Sequence, residues 1–471
     1  MPPLTRRAFL RLGAGVALAP LLRARAVRAA DGVREYRLRA QVAKVRLADE
    51  PFPETELWCY DGRSPGPLLR LRQGEPCRIV LRNELPEPTT LHAHGVRLAN
   101  AADGVPYLTQ EPVAPGETYV YEFTPPDAGT FWYHSHFNSD EQLGRGLYGP
   151  LIVEEPEPQP FDREILWVLD DWRLTRDARI RDDFHREEDF ARAGRLGNTI
   201  TLNGRMPRPE PVRAGERVRL RILNACNARI FQLRFARHVP WVIAVDGQPC
   251  EPFQADGGIT IAPAQRVDLM LDMTGEPGRG YGVLDTFYPQ SPLRLTELAY
   301  AAEAPLRPGP PGDPVRLPPN PVPLPDLARA RREFIDLEGG DMGEITNPRL
   351  YGAPQGLGRL LLMGKLWAIN GIAGFRTVMA PLFTIRRGSH VLLHFRNFTA
   401  WPHPMHLHGH SFRVVHHEDA AAVGRMMDTV LVGPGEQAQV AFVADNPGDW
   451  LFHCHIVSHA EAGMIAVVRV T

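Results

Sequence analysis

Apolar and polar residues alternate in three segments of this chain, a pattern that predicts short, half-buried β-strands. The segments are residues 74–83, 215–224 and 388–397, and each runs nine positions from a Gly to an Asn. An Asp-Gly or Asn-Gly pair, typical of a tight turn, precedes each copy at residues 61–62, 203–204 and 370–371. The chain therefore contains three copies of one β-rich unit.

A second repeat links the two ends of the chain. Pro115 lies 19 positions before His134, and Pro434 lies 19 positions before His453. The segments GTFWYHSH and GDWLFHCH, which contain these two His, then align residue for residue. Short alternating strands with regular turns are typical of β-sandwiches, so we expect an all-β protein built from three sandwich domains.

The predicted domains cover residues 31–157, 158–305 and 331–471. A very Pro-rich stretch, residues 306–330, predicts a semi-rigid connection between the second and the third domain. The second copy of the repeat is followed by NARIFQLRF, which contains no His, so we expect that domain to hold no metal ligands.

Composition narrows the functional classes without choosing one. The 471 residues are 44% hydrophobic and 23% charged, with a net charge of −2. This near-neutral balance argues against a nucleic acid as a partner, and against a membrane bound through a polybasic segment. The 46 Pro and 42 Gly suit an all-β protein with many turns.

Residues 1–30 resemble a twin-arginine signal peptide. The sequence TRRAFL at residues 5–10 precedes a short apolar stretch, residues 12–22, and small residues near 26–30. The apolar stretch is too short, and too interrupted by Gly and Pro, to span a membrane. The resemblance implies export of a folded protein by the twin-arginine machinery to the periplasm or the cell exterior, without stable membrane insertion.

Five soft or borderline metal ligands fall within twelve residues near the end of the chain: His453, Cys454, His455, His459 and Met464. Two His, one Cys and a weak axial Met form the ligand set of a blue-copper electron-transfer centre. In a β-strand the side chain of Cys454 would point away from both flanking His. One strand could then serve metal sites on both faces, with one residue's covalent path between them.

Three further clusters of His lie upstream. They are His92 and His94 in LHAHG, His134 and His136 in WYHSHF, and His403, His406 and His408 in WPHPMHLHGHSF. A single His pair is more often an ordinary core or surface feature. Ten of the 17 His, however, fall in these four short patterns, so we interpret them as metal ligands.

Together these motifs resemble those of the multicopper oxidases, the family of laccases, ascorbate oxidase and bacterial cuprous oxidases. The resemblance covers nearly the whole chain after residue 31 and implies three cupredoxin-like Greek-key domains with four coppers per chain. It assigns His403, Cys454 and His459 to the type 1 copper, with Met464 axial. It assigns His92 and His406 to the type 2 copper. It assigns the paired type 3 coppers to His94, His134, His136, His408, His453 and His455.

The family resemblance also implies the reaction, in which four one-electron oxidations of a donor reduce O2 to water. Oxygen reduction needs protons, so we expect a carboxylate near the cluster. Asp103 matches an acid that the family uses, although a plain turn residue fits equally well. Glu461 is a weaker candidate. Many bacterial cuprous oxidases have an acid directly after the last type 1 His, whereas this chain has Ala460.

The donor is less well defined than the metals. Copper-efflux oxidases often carry a long Met-rich insert that collects Cu(I), but the corresponding interval, residues 337–366, holds only Met342 and Met363. We therefore favour a laccase-like oxidase of phenols or aromatic amines over a periplasmic cuprous oxidase. An exported copper-binding protein or a cell-division scaffold would be the non-enzyme alternative, and the complete ligand set argues against it.

Four Cys are left after Cys454 is assigned to copper. Cys59 with Cys77 and Cys226 with Cys250 are the local pairings for disulfides, which an oxidising compartment would permit. Buried free thiols are the equal alternative.

Overall fold

A computed structural model describes residues 27–28, 32–350, 352–375 and 380–471 of the protein. Strands dominate it and the helices are short, which confirms the all-β prediction. The predicted signal peptide, residues 1–30, lies outside the described residues except for the backbone of Val27–Arg28. Within the described ranges, no helix is both long enough and apolar enough to cross a bilayer.

The first unit consists of two sheets. Its strands are β1 (Val27–Arg28), β2 (Arg34–Val45), β3 (Thr55–Tyr60), β4 (Leu69–Arg72), β5 (Cys77–Glu84), β6 (His92–His94), β7 (Thr118–Phe123), β8 (Gly129–His134) and β9 (Tyr148–Glu154). One sheet has the order β1-β2-β5-β7 with β3 paired to β2, and the other has the order β4-β9-β8-β6. A 3₁₀ turn (Asn100–Ala102) follows β6, and helix α1 (Ser139–Gly144) follows β8.

The second unit also consists of two sheets, ordered β11-β10-β13-β18-β15-β16 and β12-β20-β19-β14-β17. Its strands are β10 (Arg163–Trp172), β11 (Thr199–Leu202), β12 (Glu210–Val212), β13 (Arg217–Asn224), β14 (Phe231–Phe235), β15 (Trp241–Val245), β16 (Gln248–Gln254), β17 (Ile259–Ile261), β18 (Arg266–Asp272), β19 (Gly280–Asp285) and β20 (Leu293–Tyr300). Helix α2 (Glu187–Ala191) lies in the long connection between β10 and β11.

The third unit repeats the arrangement, with sheets ordered β23-β22-β25-β24-β21-β27-β32-β29-β30 and β26-β34-β33-β28-β31. Its strands are β21 (Arg331–Gly339), β22 (Arg349–Leu350), β23 (Ala353–Pro354), β24 (Trp367–Ile369), β25 (Ile372–Ala373), β26 (Phe383–Ile385), β27 (His390–Asn397), β28 (His403–Leu407), β29 (Phe412–His416), β30 (Met426–Met427), β31 (Thr429–Val432), β32 (Gln437–Val443), β33 (Gly448–Cys454) and β34 (Ile465–Val470). Helices α3 (Leu357–Leu362) and α4 (Val457–Glu461) and a 3₁₀ turn (Ala420–Ala422) complete it.

The repeat seen in the sequence corresponds to one strand of each unit, namely β5, β13 and β27. Each of these strands pairs in parallel with the first long strand of its unit and antiparallel with a later one. The Asn that ends each copy is buried, and its amide donates to at least two backbone carbonyls while its side-chain oxygen accepts a backbone N–H two residues on. These residues are Asn83, Asn224 and Asn397. The repeated Asn therefore closes the same loop three times.

Burial of apolar side chains joins the first unit to the third. One continuous core contains residues of both, including Phe131 of β8 and Phe452 of β33, whereas the second unit has a core of its own. The two units that carry the His clusters therefore share a rigid contact. The exact domain boundaries 31–157, 158–305, 306–330 and 331–471 stay a prediction.

All five cysteines are free thiols, so neither local disulfide is formed. Cys59 and Cys77 are buried, and burial raises the pKa of both thiols to about 12. For Cys59 and Cys77, the structure therefore shows buried free thiols and not a disulfide.

Replacement of Asn224 by Ala tests the repeated loop closure in the second unit. The change leaves two carbonyls and one N–H without their partner, so we expect the free energy of unfolding to fall by about 2–4 kcal/mol. Calorimetry should show a lower Tm for Asn224→Ala, whereas Asp256→Ala, a change at an exposed residue of the same unit, should leave the Tm unchanged. Equal melting of the two variants would contradict this role.

Candidate metal centre

Three soft or borderline donor atoms form a small buried triangle in the third unit. Cys454 ends β33, His403 begins β28 and His459 lies in α4. The Sγ of Cys454 lies 3.5 Å from Nδ1 of His403 and 3.7 Å from Nδ1 of His459, and the two nitrogens are 3.2 Å apart. Metal–nitrogen and metal–sulfur bonds of about 2.0–2.3 Å hold ligand atoms roughly 3–4 Å apart, so the triangle fits one metal ion.

The outer nitrogens of the two His in this triangle are held by neighbouring oxygens. His459 Nε2 donates to the carbonyl of Arg192 at 2.6 Å, which leaves its Nδ1 as a lone pair directed into the triangle. His403 Nε2 lies 2.8 Å from the Thr399 hydroxyl. Trp367 covers His459, with ring centroids 4.3 Å apart. Burial lowers the pKa of His459 to about 3, so its imidazole is a neutral donor.

Met464 completes the surroundings of the triangle. Met464 is fully buried, its carbonyl accepts the backbone N–H of Cys454, and its own N–H donates to the carbonyl of His459. Burial raises the pKa of the Cys454 thiol, so an adjacent cation is needed to hold it as the thiolate that binds metals. The sequence-predicted group of Cys454, His403, His459 and Met464 is thus brought together.

The other eight predicted His form a second cluster between the first and the third unit. Its members are His92, His94, His134, His136, His406, His408, His453 and His455, all buried. Rings from the two units stack in pairs, with centroids 4.0 Å apart for His92 and His408 and 3.8 Å apart for His94 and His406. The register is equivalent in both units, because His92 pairs with His134 across β6 and β8 as His406 pairs with His453 across β28 and β33.

Backbone and carboxylate oxygens fix which nitrogen of most of these rings carries the proton. The proton-bearing atoms are Nδ1 of His92, His134, His406, His408 and His453, and Nε2 of His94. Each donates to an oxygen, so the other nitrogen of the same ring is a lone pair. The cluster is therefore a preformed set of neutral nitrogen donors.

Several of those lone pairs meet no protein donor within the described residues. The remaining nitrogens of His92, His94, His134 and His406, and both nitrogens of His455, are buried without a hydrogen-bond partner there. Burial is the main cause that lowers the pKa of His94, His134 and His455 well below the ordinary value, so protonation does not supply the missing partner. Buried, unsatisfied nitrogens at this density are the chemistry of a metal site.

A direct contact between two rings points the same way. His408 Nε2 and His453 Nε2 lie 3.1 Å apart, and the Nδ1 atom of each already donates to an oxygen. Two facing lone pairs repel each other unless a cation lies between them. His136, His408 and His453 place their donor atoms within 4.8 Å of one another, which is the spacing a shared ion requires.

Asp103, predicted from the sequence as an acid near the cluster, lies against two of its rings. One carboxylate oxygen is 3.2 Å from His92 Nδ1, and the other accepts from His408 Nδ1 at 2.9 Å. Asp103 is 1% exposed, so this buried carboxylate bridges a ring of the first unit and a ring of the third.

Glu461, the second acid predicted from the sequence, lies at the end of α4. Its Oε1 accepts the backbone N–H of Ser139 at 3.0 Å, and its carbonyl accepts Lys365 Nζ at 2.7 Å. Glu461 therefore connects α4 to the start of α1.

A buried ion cluster behind the His was not predicted from the sequence. Asp428 accepts from His94 Nε2 at 3.1 Å and lies 3.4 Å from His406 Nδ1, while Arg266 donates to both of its oxygens. Asp246 accepts the backbone N–H groups of Asp428, Thr429 and Arg266. Arg266 and Asp246 belong to the second unit, so that unit supports the cluster without supplying a ligand.

The Gly of the first His motif is explained by the same ion cluster. Gly95 has a φ of +82°, and a Cβ there would lie 2.4 Å from the Arg266 guanidinium and 2.5 Å from the Asp428 carboxylate. Gly is therefore required after His94 both by the backbone conformation and by the close approach of the ion pair. In the sequence, the Gly of the HxHG pattern was the available signal that another group approaches closely here. The pattern does not show that this group is the ion pair of Arg266 and Asp428.

Known proteins with this organisation are copper enzymes. Family profiles described as multicopper oxidase match residues 41–158, 163–294 and 361–471. The multicopper oxidase MmcO of Mycobacterium tuberculosis is 31% identical over 91% of this chain and 85% of its own length, and laccase-2 of Fomitopsis schrenkii is 29% identical over 87% and 84%. The crystal structure of a multi-copper oxidase from Pseudomonas thermotolerans is 36% identical, covering 93% of this chain and 99% of its own, with a TM-score of 0.81.

Replacement of Asp428 by Asn tests the support that the second unit gives to the cluster. Asn keeps the shape but removes the charge that Arg266, His94 and His406 share, so copper affinity should fall about 10–100-fold. Copper retained against a graded series of chelators measures this. Asp272→Asn removes a comparable Arg partner, that of Arg217, within the second unit and should retain copper like the unchanged protein. Parallel chelator curves for the two variants would contradict the role of Asp428.

Proposed function

The chain belongs to the multicopper oxidase family, and on this basis we propose how its residues divide copper among four positions. Cys454, His403, His459 and Met464 would hold the type 1 copper. His92 and His406 hold the type 2 copper. The type 3 pair is held by His94, His134, His136, His408, His453 and His455.

As a multicopper oxidase, the protein is an oxidoreductase that uses O2 as the electron acceptor. When bound, the coppers accept electrons one at a time from a donor and deliver four of them to O2, which gives water. The chain's own residues do three things for this reaction. They hold neutral donors in place, they keep the cluster buried, and they connect the two metal-binding regions through covalent bonds.

One observation carries the proposal. Cys454, the last residue of β33, lies with His403 and His459, while its covalent neighbours His453 and His455 lie against other rings of the eight-His cluster. A strand that alternates its side chains in this way joins a one-electron site to an oxygen site through a single residue. A copper store would need no such connection.

The donor cannot touch the type 1 ligands directly. His459 is fully buried, and the Arg192 carbonyl caps its Nε2. Above this carbonyl, the Arg192 side chain pairs with Asp341 at 2.9 Å, and both side chains are about half exposed. We therefore place the donor on the surface around Arg192 and Asp341, with electrons entering through the hydrogen bond between Arg192 and His459.

Phenols or aromatic amines are the proposed donors, because outer-surface docking suits freely diffusing one-electron donors and residues 337–366 contain no Met-rich insert. One observation favours Cu(I) as a second candidate. Met342 is 80% exposed and follows Asp341, so a thioether and a carboxylate stand at the proposed docking surface. The thioether is a suitable ligand for a soft cation, and the carboxylate would balance the charge of that cation.

Asp103 and Glu461 are the proposed acids. The Asp103 carboxylate is shared by His92 and His408, so it orients both rings and stands at the cluster as a proton carrier. We also propose that the twin-arginine sequence at residues 5–10 directs the folded protein to the periplasm or the cell exterior, where donor and O2 meet it.

Replacement of Cys454 by Ser tests the connection between the two regions. Without the thiolate, the blue absorption and the oxygen uptake with any donor should both fall to background, whereas copper at the His cluster should remain. Cys226→Ser, a change at a buried thiol of the second unit, should keep colour and rate. Oxygen uptake by Cys454→Ser at the unchanged rate would contradict the assignment.

Oxygen uptake by the copper-loaded protein identifies the donor class. We expect kcat/KM for a simple phenol to exceed that for a stabilised Cu(I) complex. The reverse order would identify a cuprous oxidase, and Asp341→Asn should then raise KM for Cu(I) but not for the phenol. An absence of uptake with both donors would contradict the proposed function itself.

A further inference from the structure

The interface between α1 and α4 lies next to the eight-His cluster. α1 begins three residues after His136, and α4 begins two residues after His455. The two helices pack against each other. Because each helix is tied so closely to a proposed type 3 ligand, polar groups between them are well placed to serve the oxygen site.

Asp140 is a fully buried acid at this interface. Its carbonyl accepts Asn227 Nδ2 at 2.8 Å, and its Oδ2 accepts the backbone N–H of His185 at 3.4 Å. Its Oδ1 is buried and has no hydrogen-bond partner among the residues that the structure describes. No guanidinium or ammonium group of the described chain forms an ion pair with this carboxylate, unlike the buried Asp428, so a purely structural role leaves it poorly satisfied.

His185 connects Asp140 to solvent. The His185 side chain is 46% exposed, and its Nδ1 lies 4.0 Å from Asp140 Oδ2. Its Nε2 lies 3.7 Å from Glu141. The His185 imidazole therefore lies between solvent and the buried Asp140 carboxyl group.

Two further buried hydroxyl groups lie on the same two helices. The hydroxyls of Ser139 and Ser458 are buried and have no partner within the described part of the chain, and the Ser139 N–H donates to Glu461. Buried polar atoms of this kind normally bond ordered water. Ser458 is three residues from His455, so a hydrogen-bonded path that includes Asp140, Ser139 and Ser458 would end beside the cluster.

The charges around Asp140 favour proton exchange near neutral pH. Burial raises the pKa of Asp140 to about 6, and the Glu461 carboxylate of α4 acts in the same direction. His185 and Arg195, in the connection between β10 and β11, lower this pKa. The Glu141 carboxylate, on the same helix as Asp140, lies close to His185 and raises its pKa. A proton held by His185 therefore stands next to an acid whose protonated and ionised forms are both accessible.

We propose that Asp140 relays protons from His185 at the surface to the cluster where O2 is reduced. Each turnover consumes one O2, four electrons from the donor and four protons, and releases two waters. For every proton, the Asp140 carboxyl gives H⁺ inward, its carboxylate regains H⁺ from the His185 imidazolium, and His185 takes H⁺ from solvent. Asp140 thus ends each cycle unchanged. This inference rests on the proposed function.

The test compares Asp140→Asn with the unchanged copper-loaded protein. Asn keeps the size but cannot exchange a proton, so kcat for oxygen uptake should fall on the order of 100-fold with KM for the donor unchanged. The anaerobic rate at which the donor bleaches the blue absorption should stay the same. The solvent isotope effect on kcat should rise, and Asp140→Glu should restore most of the rate.

Two further variants keep the inference falsifiable. Asp182→Asn removes an exposed carboxyl nearby and should change nothing. His185→Gln alters a half-exposed side chain without disturbing the core, and it should lower kcat about tenfold, most strongly above pH 6. A normal kcat in Asp140→Asn or His185→Gln would overturn the relay, as would slowed anaerobic bleaching in Asp140→Asn. Failure of the proposed function would appear instead as no oxygen uptake by the unchanged protein.

Discussion

The structure depends on eight uncharged imidazoles buried between two units of the chain. Six of the eight rings have a nitrogen that donates to an oxygen, such as the Asp103 carboxylate or the Asp428 carbonyl. The remaining nitrogens of His92, His94, His134 and His406 have no hydrogen-bond partner within the described residues. Each unsatisfied buried polar atom costs about 1–3 kcal/mol, a cost that a bound metal ion would offset. The apolar core and the His cluster thus both span the contact between the first and the third unit.

The three copies of the sandwich have diverged into separate tasks on one scaffold. The first and third copies supply paired His from equivalent strands, and Cys454 in the third stands where the first has Ser135. The second copy lacks His there and contributes Arg266 and Asp246 instead. It also supplies the Arg192 carbonyl over His459. The second unit, which holds none of the predicted ligands, thus places charged groups beside the His cluster and a carbonyl group over His459.

The clustered His and Cys side chains could be predicted as metal ligands because their chemistry is local. Strand alternation separates Cys454 from its flanking His, and the nine-residue interval ending at Asn224 marks the repeated strand, so both could be predicted. Asp428 and Arg266 could not, because their pairing joins residues 162 positions apart in different units. The free thiols followed from burial, whereas spacing alone had left disulfides open. Residue identity predicted the donors, and only the tertiary contacts revealed what orients them.

The central claim is that one strand connects a one-electron site to a site that reduces O2 completely. The most direct test mixes the fully reduced protein with a known amount of O2 and measures the electrons consumed per O2 together with any hydrogen peroxide. We expect four electrons per O2 and no peroxide. Two electrons per O2 with stoichiometric peroxide would contradict it, because the His cluster would then not act as one oxygen-reducing unit.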